Sequence, residues 1–123
     1  MDFGPKEALE RLRKYCAYQE RSYKDVNDKM WGLKVPSDWR DDIIFGLIQE
    51  NFLNEERFAR AYSRGKFNIK RWGRIKIIQG LKRHQVSPKC IQLGLSEIDE
   101  DDYLQVLSNT VELKNSKLKE KNQ

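Results

Sequence analysis

Histidine occurs once in the 123 residues, cysteine twice and proline three times. One histidine and no Cys-x-x-Cys leave almost no metal chemistry, because a zinc site needs several N or S ligands at fixed spacing. Cys16 and Cys90 lie far apart in apolar helical stripes. They read as reduced thiols packed inside a cytoplasmic protein, not as a disulfide framework. No run approaches the ~18–20 apolar residues of a membrane span. Met1-Asp2-Phe3-Gly4-Pro5-Lys6 lacks the basic-then-apolar pattern of a signal peptide. Strand signals are weak too, with no alternating run of useful length and no Asn-Gly turn. A cytoplasmic protein without metal, cofactor or membrane contact is expected.

Catalytic groupings are equally scarce. His84 stands beside Lys82 and Arg83 with no partner at the spacing a general base or metal ligand needs. Asp41/Asp42 and Glu55/Glu56 fall at expected helix starts, where the helix dipole accounts for them. No G-x-x-x-x-G-K-[ST] loop is present to cradle a nucleotide. The expectation is a protein that binds and does not catalyse, with no small-molecule substrate.

Acidic residues are missing from one stretch altogether. The chain has 24 Lys+Arg against 19 Asp+Glu, formally +5. Between Arg57 and Ser96 it carries eleven cations and no acid, so the remainder is net negative. Segregation of this kind points to a polyanionic partner or an acidic protein groove.

The apolar pattern is helical almost throughout. Pro5 suits a first helical position, and Ala8, Leu9, Leu12, Tyr15 and Cys16 form a stripe, with Glu7→Arg11 and Glu10→Lys14 pairs on the wet side. Ser22-x-x-Asp25 resembles a capping box, leading to Val26, Met30 and Leu33. Ser37 is expected to cap a third helix with Trp39, Ile43, Ile44, Leu47 and Ile48 inward. Asn54 caps a fourth, where Phe58, Ala61, Tyr62, Gly65 and Ile69 share one side. A fifth runs from Arg74 to about Arg83, with Ile75, Ile77, Ile78 and Leu81 inward, and Ser87-Pro88 starts a sixth. Halves offset by 51 residues match at Val26/Ile77, Met30/Leu81, Val35/Val86, Ile44/Leu95, Phe52/Tyr103 and Leu53/Leu104. The fold class expected is all-α, in tandem three-helix repeats with about seven helices. The first repeat spans 1–51 and the basic second repeat 52–97. Residues 98–123 hold the first helix of an incomplete third repeat, opening at Asp99, and a polar tail.

The basic stretch is the candidate interface. Arg57, Arg60 and Arg64, at i, i+3, i+7, are expected to aim three guanidinium forks outward, suited to bidentate phosphate or carboxylate contacts. Lys66, Lys70, Arg71, Trp72 and Arg74 surround the break between two helices, and Lys76 and Arg83 share the next helix's outer face. Trp72 stands ready to stack on a base or to cover a helix end. Five phosphate contacts from this set would give a log–log salt slope of roughly −3.5 on single strands.

Phe52-Leu53-Asn54-Glu55-Glu56-Arg57-Phe58-Ala59-Arg60-Ala61-Tyr62, then Gly65-Lys66-Phe67, then Trp72-Gly73-Arg74-Ile75-Lys76-Ile77, resembles the RecX family, bacterial regulators of the RecA recombinase. The basic loop ending in Val86 after the Leu81-bearing helix fits the same pattern. The resemblance implies an elongated, curved protein of three-helix repeats without catalysis or cofactor. It further implies binding to the RecA filament on single-stranded DNA, lodged in its helical groove. Strand exchange, ATP hydrolysis and co-protease activity would be restrained, in recombination and the SOS response. Arg57, Arg60, Arg64, Lys66, Lys70, Arg71, Arg74 and Lys76 are then the expected contact face. The residues alone leave two alternatives open: a helix-turn-helix-like DNA-binding module independent of a recombinase, and a basic protein–protein adaptor.

Overall fold

The computed structural model describes residues 3–98, all of whose regular structure is helical. Six helices follow one another: α1 (Pro5–Tyr18), α2 (Tyr23–Gly32), α3 (Ser37–Gln49), α4 (Glu55–Asn68), α5 (Arg74–Arg83) and α6 (Pro88–Leu95). The helix expected from Asp99, and with it the incomplete third repeat, lies outside the described residues.

Local chemistry explains most starts. Pro5 occupies the first turn of α1, and the Glu7 carboxylate accepts from the Gly4 N–H at 3.0 Å. Ser22 and Asp25 exchange reciprocal bonds of 3.0 Å at the head of α2. Asn54 Oδ1 accepts from the Arg57 N–H at 2.8 Å, and Ser87 caps α6. Ser37 departs from expectation. It is the first residue of α3, Pro36 holds the cap position, and no side chain caps that end. Proline's fixed φ suits an extended residue just before a helix.

Helix ends follow one pattern. Lys34, Asn51, Arg71 and Gln85 take the left-handed conformation after α2, α3, α4 and α5, with φ of 59°, 67°, 59° and 58°. The next residue turns an N–H back: Val35 to Met30, Phe52 to Leu47, Trp72 to Lys66 and Val86 to Leu81, at 2.8–3.1 Å. Each of these apolar side chains is thereby swung toward the helix it has just left.

Two cores result. Ala8, Leu12, Cys16, Val26, Met30, Val35, Ile43, Leu47 and Leu53 form one. Phe58, Ala59, Phe67, Ile77, Leu81, Val86, Ile91 and Ile98 form the other. Val26/Ile77, Met30/Leu81 and Val35/Val86, at the offset of 51, are buried in both halves. So are Ala8/Ala59, Cys16/Phe67 and Leu47/Ile98. At two equivalent positions the halves pack differently. Leu12 and Ile43 fill the first interface, whereas Ser63 and Gly94 let α4 and α6 approach closely.

The helical wheel errs at three isoleucines near element ends. Ile75 is 75% exposed and Ile69 78% exposed, and Ile48 also reaches solvent, whereas Ile78 packs half-buried against the second core as expected. Ile69 falls outside α4, which stops at Asn68, and Ile75 occupies the first turn of α5, beyond the reach of the core. The Glu7→Arg11 and Glu10→Lys14 pairs give way to other partners. Glu7 turns to Gly4, while Arg13 bonds Glu10 and forks Glu50 at the end of α3.

Candidate nucleic-acid interface

The three arginines of α4 do not stand free. Arg57 Nε donates to Glu20 Oε1 at 2.9 Å and its Nη2 to the Asn51 carbonyl at 2.9 Å. Arg60 Nε bonds Glu56 at 3.0 Å, and its Nη1 reaches Glu97 at 3.1 Å. Arg64 shares that Glu97 oxygen at 3.2 Å. The hydrogen bonds to Glu56, and then to Glu97, raise the hold of the Arg60 guanidinium on its proton, against a smaller opposing effect of burial. The expected outward forks are thus a correction. Arg57 ties the α1–α2 connection to α4, and Arg60 and Arg64 tie the end of the second core to it. The Glu56–Arg60 spacing was visible in the sequence as an i, i+4 pair. Glu20 lies 37 residues from Arg57 and Glu97 lies 37 from Arg60, and only the fold brings them together.

A different group of the expected residues gathers around Trp72. Its ring holds two ammonium groups, Lys66 Nζ at 4.8 Å and Lys76 Nζ at 4.5 Å from the centroid. Lys66 Nζ also lies 5.3 Å from the Tyr62 ring. Tyr62 meets Trp72 edge-on at 6.5 Å and His84 at 5.4 Å, and Phe58 closes the group at 5.2 Å from His84. Burial pushes the Tyr62 phenol up, opposed by the charge and hydrogen bond of Arg83. Trp72 is therefore a platform for lysines. A ring quadrupole attracts cations by ~0.5–1 kcal/mol at such sites, enough to bias two flexible side chains toward one place.

Space and exposure complete the site. Gly80 makes room for Tyr62, since a Cβ there would stand 2.0 Å from its hydroxyl oxygen. Between the halves a groove of about 510 Å³ is walled by Glu20 and Asp25 on one side and by Tyr62, Lys66, Trp72 and Arg83 on the other. His84 bridges it, with Nδ1 at 2.9 Å from the Gly80 carbonyl and Nε2 at 3.7 Å from Asp25. Lys70 and Arg71 are exposed on the turn after α4, and Arg74 is half-buried at the start of α5. Ile69 and Ile75, both largely exposed, flank this basic turn. Sequence reasoning placed these two inside and so missed an apolar component of the surface. Among the described residues no cluster of His, Cys, Asp and Glu could hold a metal ion, and no helix is long and apolar enough to cross a membrane.

Residues 54–95, the segment from the α4 cap through α6, match the family model for RecX, second three-helix domain. Over 97 residues the chain is 25% identical to the regulatory protein RecX of Lactobacillus gasseri, covering 79% of this chain and 36% of that protein. Residues 54–95 thus read as a RecX-type second three-helix domain, and the chain is similar to RecX proteins over most of its length. Its identity to the regulatory protein RecX of Streptococcus uberis is 28% over 85 residues, 69% of this chain and 33% of that one. The chain thus spans about a third of the length of these curated RecX relatives. The crystal structure of RecX from Lactobacillus salivarius shares the fold with a TM-score of 0.79 and 22% identity, covering 91% of this chain and 75% of that one. A second RecX crystal structure superposes at a TM-score of 0.76 and 20% identity, covering 83% of this chain and 50% of that one. The all-α tandem repeat is therefore the RecX architecture.

Proposed function

We propose that the chain binds a RecA-type recombinase filament on single-stranded DNA and restrains its strand exchange and ATP turnover. Support comes first from the relatives, which bear the name regulatory protein RecX. The observation that carries the contact face is the turn around Trp72. There Lys66 and Lys76 are held on one ring while Lys70 and Arg71 extend into solvent. Ile69 and Ile75 stand beside these cations, 78% and 75% exposed. Cations next to exposed apolar side chains suit a partner that offers both phosphate and protein. Bare DNA has no use for the two isoleucines, so a DNA-binding module acting without a recombinase fits less well. An adaptor that pairs only with an acidic protein leaves the paired ammonium groups without a phosphate to match.

Recombinase ATP turnover on single-stranded DNA tests the proposal. Addition of the full chain is expected to slow turnover, Lys66→Gln/Lys76→Gln to weaken that effect several-fold, and Lys24→Gln, in a Lys24–Asp28 pair on α2, to leave it unchanged. Turnover indifferent to the wild-type chain, or slowed equally by the Trp72-face variant, would contradict it.

A further inference from the structure

A second cation-lined depression lies in the first half, outside the face described above. Arg11, Lys14, Tyr15, Tyr18, Arg21 and Lys29 surround about 350 Å³ beside the α1–α2 connection, and no carboxylate lines it. Its centre is again one ring holding two cations. The Arg21 guanidinium sits 3.7 Å from the Tyr15 centroid, steadied by an Nε bond of 3.0 Å to the Tyr15 carbonyl, and Lys29 Nζ lies 5.3 Å from the same ring.

The likeness to the Trp72 cluster extends to position. At the repeat offset of 51, Tyr15 corresponds to Lys66 and Arg21 to Trp72. The same two places in each half therefore carry one aromatic and one cation, with the partners exchanged. Tyr18 corresponds to Ile69, and both are large, apolar and exposed, at 83% and 78%. Core packing accounts for the half-buried Tyr15 and Trp72, which lie against the two cores, but imposes nothing on the exposed Tyr18 and Ile69. Their match needs a reason at the surface. The two depressions also adjoin, since Tyr18 and Arg21 wall the first while Glu20 between them walls the second.

We propose that this depression is a second phosphodiester-binding site for single-stranded nucleic acid. Lys14, Lys29 and Arg11 take backbone phosphates, and the Tyr18 ring offers a stacking surface for a base. The choice of polyanion rests on the reading of the Trp72 face as turned toward nucleic acid. Two like sites on neighbouring repeats would let one strand engage both, and the second contact would form at raised effective concentration.

The test is fluorescence anisotropy of labelled oligothymidylate with the full chain over a range of NaCl concentrations. Lys14→Gln/Lys29→Gln is expected to flatten the log–log salt slope by about 1.4, two contacts at ~0.7 each on single strands. Tyr18→Ala is expected to weaken binding at fixed salt by about five- to a hundred-fold. All three residues are exposed, so circular dichroism should be unchanged. A slope unchanged by Lys14→Gln/Lys29→Gln but flattened by Lys66→Gln/Lys76→Gln would overturn this site and leave the Trp72 face standing. No salt-sensitive binding by the wild-type chain would also overturn it, with recombinase ATP turnover judging the Trp72 face separately.

Discussion

Single residues decide how closely the second core can close. A Cβ at Gly94 would lie 2.7 Å from the Ala59 carbonyl oxygen, a backbone atom that cannot step aside. Gly94→Ala should therefore push α6 off α4 and destabilise by about 1–3 kcal/mol, as overpacking does. Gly65, in the same α4, meets nothing within 4 Å. Gly65→Ala should raise stability by about 0.5–1 kcal/mol, the ordinary gain of alanine over glycine inside a helix. Urea titration of both variants checks the contrast, and equal effects would refute the close approach at Gly94. Cys16 gives a pH signature. Burial pushes its thiol from the usual 9.0 up to about 11. Below pH 9 the thiol is neutral folded or unfolded; above it the unfolded thiol ionises first. Stability should fall between pH 9 and 11 by roughly 2–3 kcal/mol, at 1.36 kcal/mol per pH unit. In Cys16→Ala that component of the fall should vanish.

At the scale of elements, capping chemistry was legible and side-chain destinations were only partly so. Pro5, Ser22 with Asp25, Asn54 and Ser87 mark helix starts through bonds a few residues long, which the sequence displays directly. The helix ends were less readable, because Lys34, Asn51, Arg71 and Gln85 adopt a conformation usually signalled by glycine. For a non-glycine residue this backbone costs about 1–2 kcal/mol. Lys34→Gly and Gln85→Gly should each stabilise by up to ~1 kcal/mol once the greater freedom of unfolded glycine is deducted. Thermal melting decides it, and a lower melting temperature in both would contradict the left-handed assignment. The arginines of α4 show where local reading stops. Their spacing put them on one helix face, but their partners Glu20 and Glu97 come from outside the acid-free stretch. Charge reversal of all three would set carboxylates against Glu20, Glu56 and Glu97 and would disturb packing along with any contact. Glu97→Gln is the cleaner probe. It releases Arg64, so the salt slope for single strands should steepen by about 0.7.

Across the whole molecule, repetition was the most legible feature, because buried positions such as Val26, Met30 and Val35 recur 51 residues on as Ile77, Leu81 and Val86, whereas the expected Phe52/Tyr103 and Leu53/Leu104 matches end outside the described residues. Ile69 and Ile75 escaped that logic. They obey a helical wheel but sit past the end of α4 and in the first turn of α5, where no second layer covers them. Their exposure converts a purely basic face into a mixed one, and with it the class of partner the face suits. The halves are joined by Arg57–Glu20 and His84–Asp25, so the Trp72 platform and the Tyr15 depression are held in a common frame. Leu81, fully buried and accepting the Val86 N–H at its carbonyl, belongs to the core against which Tyr62 and Trp72 pack. Leu81→Ala should cost about 2–5 kcal/mol through the cavity it leaves, and an unchanged melting curve would refute its place in the core.

The central claim is that the turn around Trp72 grips a nucleic-acid strand together with the protein coating it. The most direct measurement is the affinity of the full chain for single-stranded DNA, bare and recombinase-coated, at two salt concentrations. The account predicts much tighter binding to the coated strand, weakened by salt and by Lys66→Gln/Lys76→Gln. Equal affinity for the two strands, or a variant that binds the coated strand as the wild type does, would contradict it.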